Sequence, residues 1–372
     1  MYLLPEPAVG QLLRDLTRPR CLSFLRTLDT ALLTVSAQSS SPPEERLVHQ
    51  PLRTAITTKD NNLSLFMPVS NTSSTGIKIV TASQSHGIIG VINIFSPKGE
   101  LLGLLSAAEI TAFRTALTVM SLLVRVSGAG AGIQRERIVI LGSGRQAEWH
   151  ARLALLLCTG EIRRVTFVNR GRKRLEELER GVISNLKTRY PDVEFTILSK
   201  EGNDHYEEHL CNELARSDII FSCTPSTEPN FPYSYLAEMG VGAGAGAGAE
   251  SYKAKFISLI GSYRPHMQEI DTETLLSGGG TVYVDSREAC LEESGELIRA
   301  GMKGDQLVEL GELYQSQGLG ENQDEEPQPV KVAEGRNVVM KCVGMGIMDL
   351  VTGKKLLELG RERDIGVEVD GF

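Results

Sequence analysis

The sequence predicts an α/β protein built around a doubly wound parallel sheet, and three observations support this. From about Arg137, short β-branched runs alternate with helical or loop segments, which is typical of parallel α/β folds; the runs are RIVILG, RVTFVNR, VEFTILS, DIIFSCT, KFISLIG and TVYVDS. A glycine-containing turn joins the first of these runs to a helix. The pattern differs before about residue 130 and after about residue 335, which predicts a second structural region.

The composition is that of a globular protein with room for two medium domains. The chain has 372 residues, of which 41% are hydrophobic and 23% are charged, and its formal net charge is −8. No region is strongly basic, so nothing indicates nucleic-acid binding. No apolar run approaches the roughly 20 residues that span a bilayer, and no basic signal-peptide region is evident. Six scattered cysteines without C-x-x-C spacing predict reduced thiols, a cytoplasmic setting and no zinc site.

The N-terminal third is predicted to hold strands followed by a helix. The segments GIKIV and IIGVINIFSPKGELLGLLS are typical of strands, and Ser96–Glu100 predicts the turn of a hairpin. Ser106 and Glu109 have the spacing of a capping box at a helix start. Apolar residues then recur at helical intervals: Ile110, Phe113, Leu117, Met120 and Val124.

The turn after RIVILG has the pattern G-x-G-x-x-A, formed by Gly142, Ser143, Gly144, Arg145, Gln146 and Ala147. A place between a strand and a helix is the context in which this pattern binds a dinucleotide. Gly142 allows the tight turn, and Gly144 lets the backbone approach a pyrophosphate. The free N–H groups at the helix start are suited to the phosphates. We therefore predict a Rossmann-type dinucleotide site; the alternative is a turn that is rich in glycine only for packing.

The strand that follows ends in Asn169 and Arg170, and three more basic residues come soon after. Sites that prefer NAD usually carry Asp or Glu here, because a carboxylate accepts a hydrogen bond from the ribose 2′-OH. No carboxylate stands at this place in the sequence, and Arg170 is able to bind a 2′-phosphate through two N–H groups. The sequence therefore favours NADP(H), with NAD(H) as the alternative cofactor.

Seven segments resemble the ornithine cyclodeaminase and mu-crystallin family, in the family's order, from about Arg53 to Asp349. They are PLRTAI, GIKIVT, SAAEITAFRTA, LGSGRQAEWHARL, IGSYRPHMQEID, VYVDSREACLEESGEL and KCVGMGIMDL. The resemblance implies a discontinuous α+β substrate-binding and dimerisation domain of residues 1–126 and 336–372. It implies a Rossmann dinucleotide domain of residues 127–335 between these parts, and a homodimer in which the substrate domains pair.

The resemblance also implies which residues bind a small amino- or imino-acid substrate. Arg53, Lys78 and Arg114 match the family's basic substrate-site residues, and Lys78 and Arg114 are the expected catalytic residues. A small α-carboxylate needs several N–H donors, which arginine supplies. Lys78 adds charge or, if burial lowers its pKa, moves a proton. The expected cofactor contacts beyond the glycine turn and Asn169-Arg170 are Thr115, Cys223 and Thr224.

One departure from the family bears on the reaction. The family's cyclodeaminases carry an Asp in a G-x-D-x-P segment, whereas this chain has Tyr263 in its place. A phenol with a reference pKa of about 10 is a poor general base at neutral pH. We therefore predict an NADP-dependent oxidoreductase that reduces a cyclic ketimine of the pyrroline- or piperideine-2-carboxylate type. The alternatives are an ornithine cyclodeaminase-type lyase that forms proline and ammonia, and a mu-crystallin-like protein that binds NADPH and a small ligand.

Other residues have simpler interpretations. His205 and His209 lie four residues apart without an evident third ligand, so no metal site is predicted. Cys223 and Cys342 are expected to pack rather than to act as nucleophiles. Asp349 is interpreted as a helix or domain-packing residue.

Two further stretches differ from the family. The loop after Lys78 lacks the usual Pro–Asn. His86, which lies there, is expected to be exposed; the alternative is an acid near the substrate. The segment GVGAGAGAGAE, residues 240–250, is expected to be a flexible insertion.

Overall fold

The structure is a computed structural model that describes residues 1–39, 41–83, 87–126, 133–236, 253–318 and 326–371. The chain divides into two compact units. The first unit contains residues 1–118, 310–326 and 344–372, and the second contains residues 119–309 and 327–343. His86 and the segment 240–250 lie outside the described residues.

The helices and strands follow in chain order. The N-terminal elements are β1 (Tyr2–Leu4), α1 (Glu6–Arg14), α2 (Arg18–Ala37), β2 (Val48–His49), β3 (Thr54–Thr57), β4 (Leu63–Asn71), β5 (Ser74–Ser83), β6 (Gly87–Phe95), β7 (Leu101–Ser106) and α3 (Ala107–Leu123). The central elements are β8 (Arg137–Leu141), α4 (Arg145–Leu157), β9 (Arg164–Asn169), α5 (Arg172–Leu178), α6 (Ser184–Arg189), β10 (Glu194–Ser199), α7 (Tyr206–Arg216), β11 (Ile219–Ser222), β12 (Phe256–Leu259), α8 (Thr272–Leu276), β13 (Val282–Val284), α9 (Arg287–Glu293), α10 (Gly295–Arg299) and β14 (Leu307–Glu309). The C-terminal elements are α11 (Leu310–Ser316), β15 (Val338–Lys341), α12 (Gly346–Glu362) and β16 (Val367–Glu368).

The first unit contains a mostly antiparallel sheet with strand order β16-β1-β7-β6-β5-β4-β2, and β3 also pairs with β4. The predicted hairpin is present: β6 and β7 are joined at Ser96–Glu100, where Gly99 has a φ of +89°. Paired residues on neighbouring strands share a face. The row Met67, Lys78, Ile92 and Leu105 is buried. Helix α12 covers this inner face; Gly346 lies close to Val69 of β4, and Gly353 lies close to Ile94 of β6.

The opposite face of this sheet is also rich in apolar side chains, although they are only partly buried or exposed. Ile89 is 59% exposed and Val91 is 36% exposed. We call this the outer face of the first sheet; its apolar residues are Phe66, Ile77, Ile79, Ile89, Val91 and Leu104. A sheet face that meets only solvent is usually polar, so this composition is unusual.

The second unit contains an eight-stranded sheet with the order β10-β9-β8-β11-β12-β15-β13-β14, and every pairing in it is parallel. The chain runs outward from β8 through β9 to β10, and then returns to place β11 on the other side of β8. The predicted doubly wound α/β fold is therefore confirmed. Ligands of such sheets bind beyond the carboxyl ends of the strands at this reversal.

The unit boundaries differ from the expected domain boundaries at two places. Residues 338–341 form β15, which pairs with both β12 and β13 in the second sheet. Its four residues are fully buried, so this run belongs to the parallel sheet and not to the C-terminal substrate segment. Helix α11, expected in the central domain, groups with the first unit and packs against α2. None of the helices in the described ranges is long and apolar enough to cross a bilayer.

Candidate active site

Three ionisable side chains meet inside the first unit. Lys78 on β5, Arg114 on α3 and Asp349 on α12 all have side chains that are 2–3% exposed. The Asp349 Oδ2 atom lies 2.6 Å from Lys78 Nζ, and Oδ1 accepts a hydrogen bond of 3.1 Å from Arg114 Nε. One carboxylate thus pairs with two cations, and we call these three residues the Lys78–Arg114–Asp349 cluster.

The secondary structure explains how each member reaches the cluster. Lys78 is on the inner face of the first sheet because it alternates with the outward-facing Ile77 and Ile79. Asp349 is in the first turn of α12, where the partial positive charge of the helix start stabilises a carboxylate. Gly344, just before α12, has a φ of +89°, and a Cβ atom built on it would lie 2.2 Å from Arg114 Nη1. Glycine therefore leaves room for the guanidinium.

The amine of Lys78 has an altered proton affinity. Burial lowers the pKa of Lys78 to about 8; Arg114 and Arg53 lower it as well, while Asp349 opposes them. Arg53 lies half-buried just before β3 and is close enough to contribute to this effect. Arg53 and Arg114 therefore both influence the Lys78 amine, as expected for three basic residues of one substrate site.

Asp349 is the member that sequence reasoning missed. It is a buried helix residue, as interpreted from the sequence, but its carboxylate also forms ion pairs with both expected catalytic residues, which the sequence did not indicate. A carboxylate in the first turn of a helix within GMGIMDL is the only local signal, and it does not reveal partners on distant strands and helices. A site with three cationic side chains and one buried carboxylate is suited to a small organic anion.

The glycine turn of the second unit has the predicted conformation. It lies between β8 and α4, and Gly142 has a φ of +131°, which favours glycine. The Gly142 N–H donates to the Val168 carbonyl, and a Cβ atom at this position would lie 3.0 Å from the Cys223 carbonyl oxygen. Gly144 is exposed with open space around it, and Ala147 is fully buried against the sheet. The α4 N-terminus is thus open to a phosphate group.

The other expected cofactor residues of this unit lie at the same sheet edge. Asn169 ends β9, and Cys223 and Thr224 follow β11. The N–H of Cys223 and the hydroxyl of Thr224 both donate to the Leu141 carbonyl, at 2.8 and 2.9 Å. Burial raises the pKa of Cys223 well above its usual value, which argues against a nucleophilic thiol. The residues that surround the turn therefore fit a dinucleotide at the carboxyl ends of β8, β9 and β11.

A carboxylate that was not expected lies beside Arg170. Glu201, two residues after β10, accepts a hydrogen bond of 2.9 Å from the Arg172 N–H at the start of α5. The Arg170 guanidinium donates to the Ser226 hydroxyl at 3.1 Å. The sequence near β9 holds no acidic residue, but parallel pairing of β10 with β9 brings Glu201 next to it. Both a cation and a carboxylate therefore lie at the carboxyl end of β9, where the sequence predicts a ribose.

A buried charged network fixes the loop that precedes Tyr263. The Ser262 N–H donates to Glu269 at 3.0 Å, its hydroxyl donates to Glu296 at 2.7 Å, and its carbonyl accepts from Lys341 Nζ at 2.6 Å. Burial raises the pKa of Glu269 to about 7, while Lys341 opposes this shift. Tyr263 itself is partly buried and stacks near the Arg264 guanidinium. The residue in place of the family's Asp is thus held on a firmly anchored loop.

Two other expected sites have the following surroundings. Thr115 is buried on α3 in the first unit, next to Arg114. The rings of His205 and His209 are 6.2 Å apart, and His209 contacts Asn203. Among the described residues, no group of three His, Cys, Asp or Glu side chains is arranged to hold a metal ion.

Comparisons with known proteins agree with this geometry. The chain is 32% identical over 327 residues to an uncharacterised protein of Saccharomyces cerevisiae, covering 82% of this chain and 83% of that protein. It is 26% identical over 344 residues to a Δ1-pyrroline-2-carboxylate reductase of Bacillus cereus, covering 86% and 89%. It is also 26% identical over 317 residues to the mouse ketimine reductase mu-crystallin, covering 82% and 84%. No family model matches the sequence.

Solved structures share the fold over the whole chain. The Δ1-pyrroline-2-carboxylate reductase of Thermococcus litoralis, solved with NADH and L-proline, has a TM-score of 0.74 at 20% identity and covers 99% of this chain and 100% of that one. An archaeal alanine dehydrogenase, solved as a dimer with bound NAD, has a TM-score of 0.72 at 16% identity and covers 100% and 99%. With the fold, the two sets of site residues and these relatives in view, the chain is an enzyme of the ornithine cyclodeaminase and mu-crystallin family.

Proposed function

We propose that this enzyme is an NADPH-dependent imine reductase, and that its substrate is a cyclic ketimine with an α-carboxylate, of the pyrroline- or piperideine-2-carboxylate type. The carrying observation is the buried Lys78–Arg114–Asp349 cluster, which offers two cations to an anionic substrate inside the first unit. The names of the relatives support it, since the bacterial and mouse relatives are reductases of such compounds.

The proposed roles follow from the charge and burial of each side chain. Arg53 and Arg114 bind the substrate carboxylate, because guanidinium groups form several N–H bonds with a carboxylate. Lys78 faces the imine nitrogen and gives it a proton, after which solvent returns a proton to the lysine amine. The reduced nicotinamide supplies the hydride that the C=N carbon accepts. Positioning of the substrate and neutralisation of its charge account for the rest of the acceleration.

The cofactor is proposed to lie at the carboxyl ends of β8, β9 and β11. Backbone N–H groups of Ser143, Gly144, Arg145 and Gln146 would bind the pyrophosphate at the α4 N-terminus. Asn169 and Arg170 would bind the adenosine ribose, with the Arg170 guanidinium favouring a 2′-phosphate. Thr115, Cys223 and Thr224 are proposed as further contacts to the cofactor. NADP(H) is the preferred cofactor in this proposal.

Deamination with ring closure is the second candidate, since cyclodeaminases share the fold. The presence of Tyr263 weighs against it, because this chain lacks the carboxylate that the family's cyclodeaminases carry at that place. The Ser262 contacts hold this loop in place, so no neighbouring acid is expected to move into the position of Tyr263.

A homodimer is part of the proposal. The outer face of the first sheet is apolar, and Ile89 and Val91 on it are exposed. We assign its occupant as the same face of a second copy, in line with the archaeal alanine dehydrogenase, which was solved as a dimer. The six free cysteines suit a reducing compartment such as the cytoplasm.

A substrate panel followed by the absorbance of reduced nicotinamide tests the function. Steady consumption of NADPH with a cyclic ketimine carboxylate, and formation of the cyclic amino acid, is the expected result. Release of ammonia and proline from ornithine without net cofactor turnover would instead establish the cyclodeaminase. Tight NADPH binding without turnover of any substrate would establish a binding protein of the mu-crystallin kind.

A further inference from the structure

The presence of Asp349 in an anion-binding site needs an explanation. A buried carboxylate repels the carboxylate of the substrate and so weakens substrate binding. Another role of Asp349 in the reaction would explain its presence. We propose that Asp349 is a positioning residue that keeps the Lys78 amine protonated and fixes the Arg114 guanidinium, so that Lys78 acts as the acid toward the substrate nitrogen. This inference rests on the proposed function and extends it to a residue outside the expected site.

The contacts of the two carboxylate oxygens support this role. Oδ2 lies 2.6 Å from Lys78 Nζ and Oδ1 accepts from Arg114 Nε at 3.1 Å, so each oxygen holds one cation. All three side chains are almost completely buried, and solvent therefore screens these charges little. Removing the negative charge would take away the carboxylate that both of these buried cations contact.

The groups that face Lys78 determine its charge. Burial, Arg114 on α3 and Arg53 before β3 all lower the pKa of Lys78, and Asp349 on α12 opposes them to leave it at about 8. Without the Asp349 charge, only burial and the two arginines, which lower the pKa of Lys78, remain. The amine would then lose its proton below pH 8. A neutral amine is not able to give a proton to the imine nitrogen.

Asp349 also determines how Arg114 is oriented. Its contact is to Nε, while Arg114 Nη1 lies 3.6 Å from the Met348 sulfur and both Nη atoms lie beside the Gly344 backbone. Anchoring a guanidinium at Nε and at an Nη atom fixes the plane of the group. Substrate binding then does not have to order this side chain.

The test is the pH dependence of kcat/KM for ketimine reduction by the wild type and by Asp349→Asn, which keeps the size of the side chain but removes its charge. For the wild type, kcat/KM should fall as pH rises through about 8. For Asp349→Asn the same fall should occur at a lower pH, so that the loss is about tenfold or more near pH 8 and smaller at pH 6. An unchanged midpoint of the pH profile would overturn the proposal.

Two controls separate this role from a purely structural one. Asp349→Glu retains the charge and should restore the wild-type midpoint, even if kcat is lower. The second control is a double-mutant cycle of Lys78→Met and Asp349→Asn, which does not depend on enzyme activity because it is measured by urea unfolding. Asp349→Asn should lower the free energy of unfolding less when Lys78 is already replaced by Met. An equal loss of unfolding free energy in the wild type and in Lys78→Met would overturn the pairing of Lys78 with Asp349. Absence of wild-type turnover on every ketimine would instead refute the proposed function, and the cycle would still report on the pairing.

Discussion

At the scale of single residues, Lys78 is the clearest point at which the proposed chemistry is open to test. We expect Lys78→Met to lower kcat/KM by about 100- to 10,000-fold, which is the usual contribution of a positioned acid. NADPH binding should stay unchanged, because the residues proposed for its phosphates belong to the second unit. Isothermal titration with NADPH and initial rates with a ketimine measure the two effects.

The matched control for this change is Lys98→Met, since Lys98 is exposed in the hairpin turn between β6 and β7. Its activity should equal that of the wild type. Loss of NADPH binding in Lys78→Met would show that Lys78 has been assigned the wrong role.

Cofactor preference is the second property set by single residues. Arg170→Ala should weaken NADPH binding about 10- to 100-fold and leave NADH binding unchanged, since only NADPH carries the 2′-phosphate. Glu201→Gln should strengthen NADPH binding a few-fold, because it removes a nearby like charge at an exposed site. Fluorescence titrations with both cofactors measure these constants; equal effects on NADH and NADPH would contradict the assignment of the 2′-phosphate site.

At the scale of elements, the short connection between β15 and α12 carries Gly344, and its conformation has a measurable role. Gly344→Ala should destabilise the protein for two reasons. The φ of +89° costs an alanine about 1–2 kcal/mol, and the new Cβ atom would clash with the Arg114 guanidinium. Because Arg114 moves, kcat/KM should fall as well.

Gly335→Ala is the control for backbone strain alone, since Gly335 has a φ of +67° with open space around it. It should lose about 1 kcal/mol of stability and keep full activity. Urea unfolding and steady-state rates measure both variants. Similar kcat/KM values for Gly344→Ala and Gly335→Ala would mean that Gly344 does not influence the position of Arg114.

Local elements were predicted from the sequence where the signal is local. The strand–turn–helix from Arg137 to Leu157, the β6–β7 hairpin and helix α3 follow from periodicity and glycine positions within about 20 residues of each other. Long-range partners were not predicted from such patterns. Asp349 and Arg114 are 235 residues apart, and Glu201 reaches Arg172 only through the pairing of β10 with β9.

The same reason explains the boundary at β15. The run VVMK in Val338–Lys341 shows that a buried strand exists, but not which sheet contains it. Only the pairing with β12 and β13 decides this. The substrate residues Arg53, Lys78 and Arg114 were expected because of the family resemblance, which already contains such long-range information.

At the scale of the whole molecule, the outer face of the first sheet predicts assembly. Ile89→Glu places a charge in the middle of this apolar face and should convert a dimer into a monomer, since burying an unpaired charge is costly. Ile298→Glu is the control, because Ile298 is 43% exposed on α10 in the other unit. Light scattering coupled to size-exclusion chromatography measures the mass. A dimeric Ile89→Glu variant, or a monomeric wild type, would contradict the assigned interface.

The late position of β15 and α12 has a consequence for how the protein is made. During translation, strand β5 with Lys78 and helix α3 with Arg114 emerge from the ribosome long before Asp349 is synthesised. The parallel sheet likewise waits for Val338–Lys341, which lies between β12 and β13 in its interior. Neither unit is complete in a nascent chain that stops before residue 338, so such a chain exposes two unfinished sheets and is a natural client for chaperones.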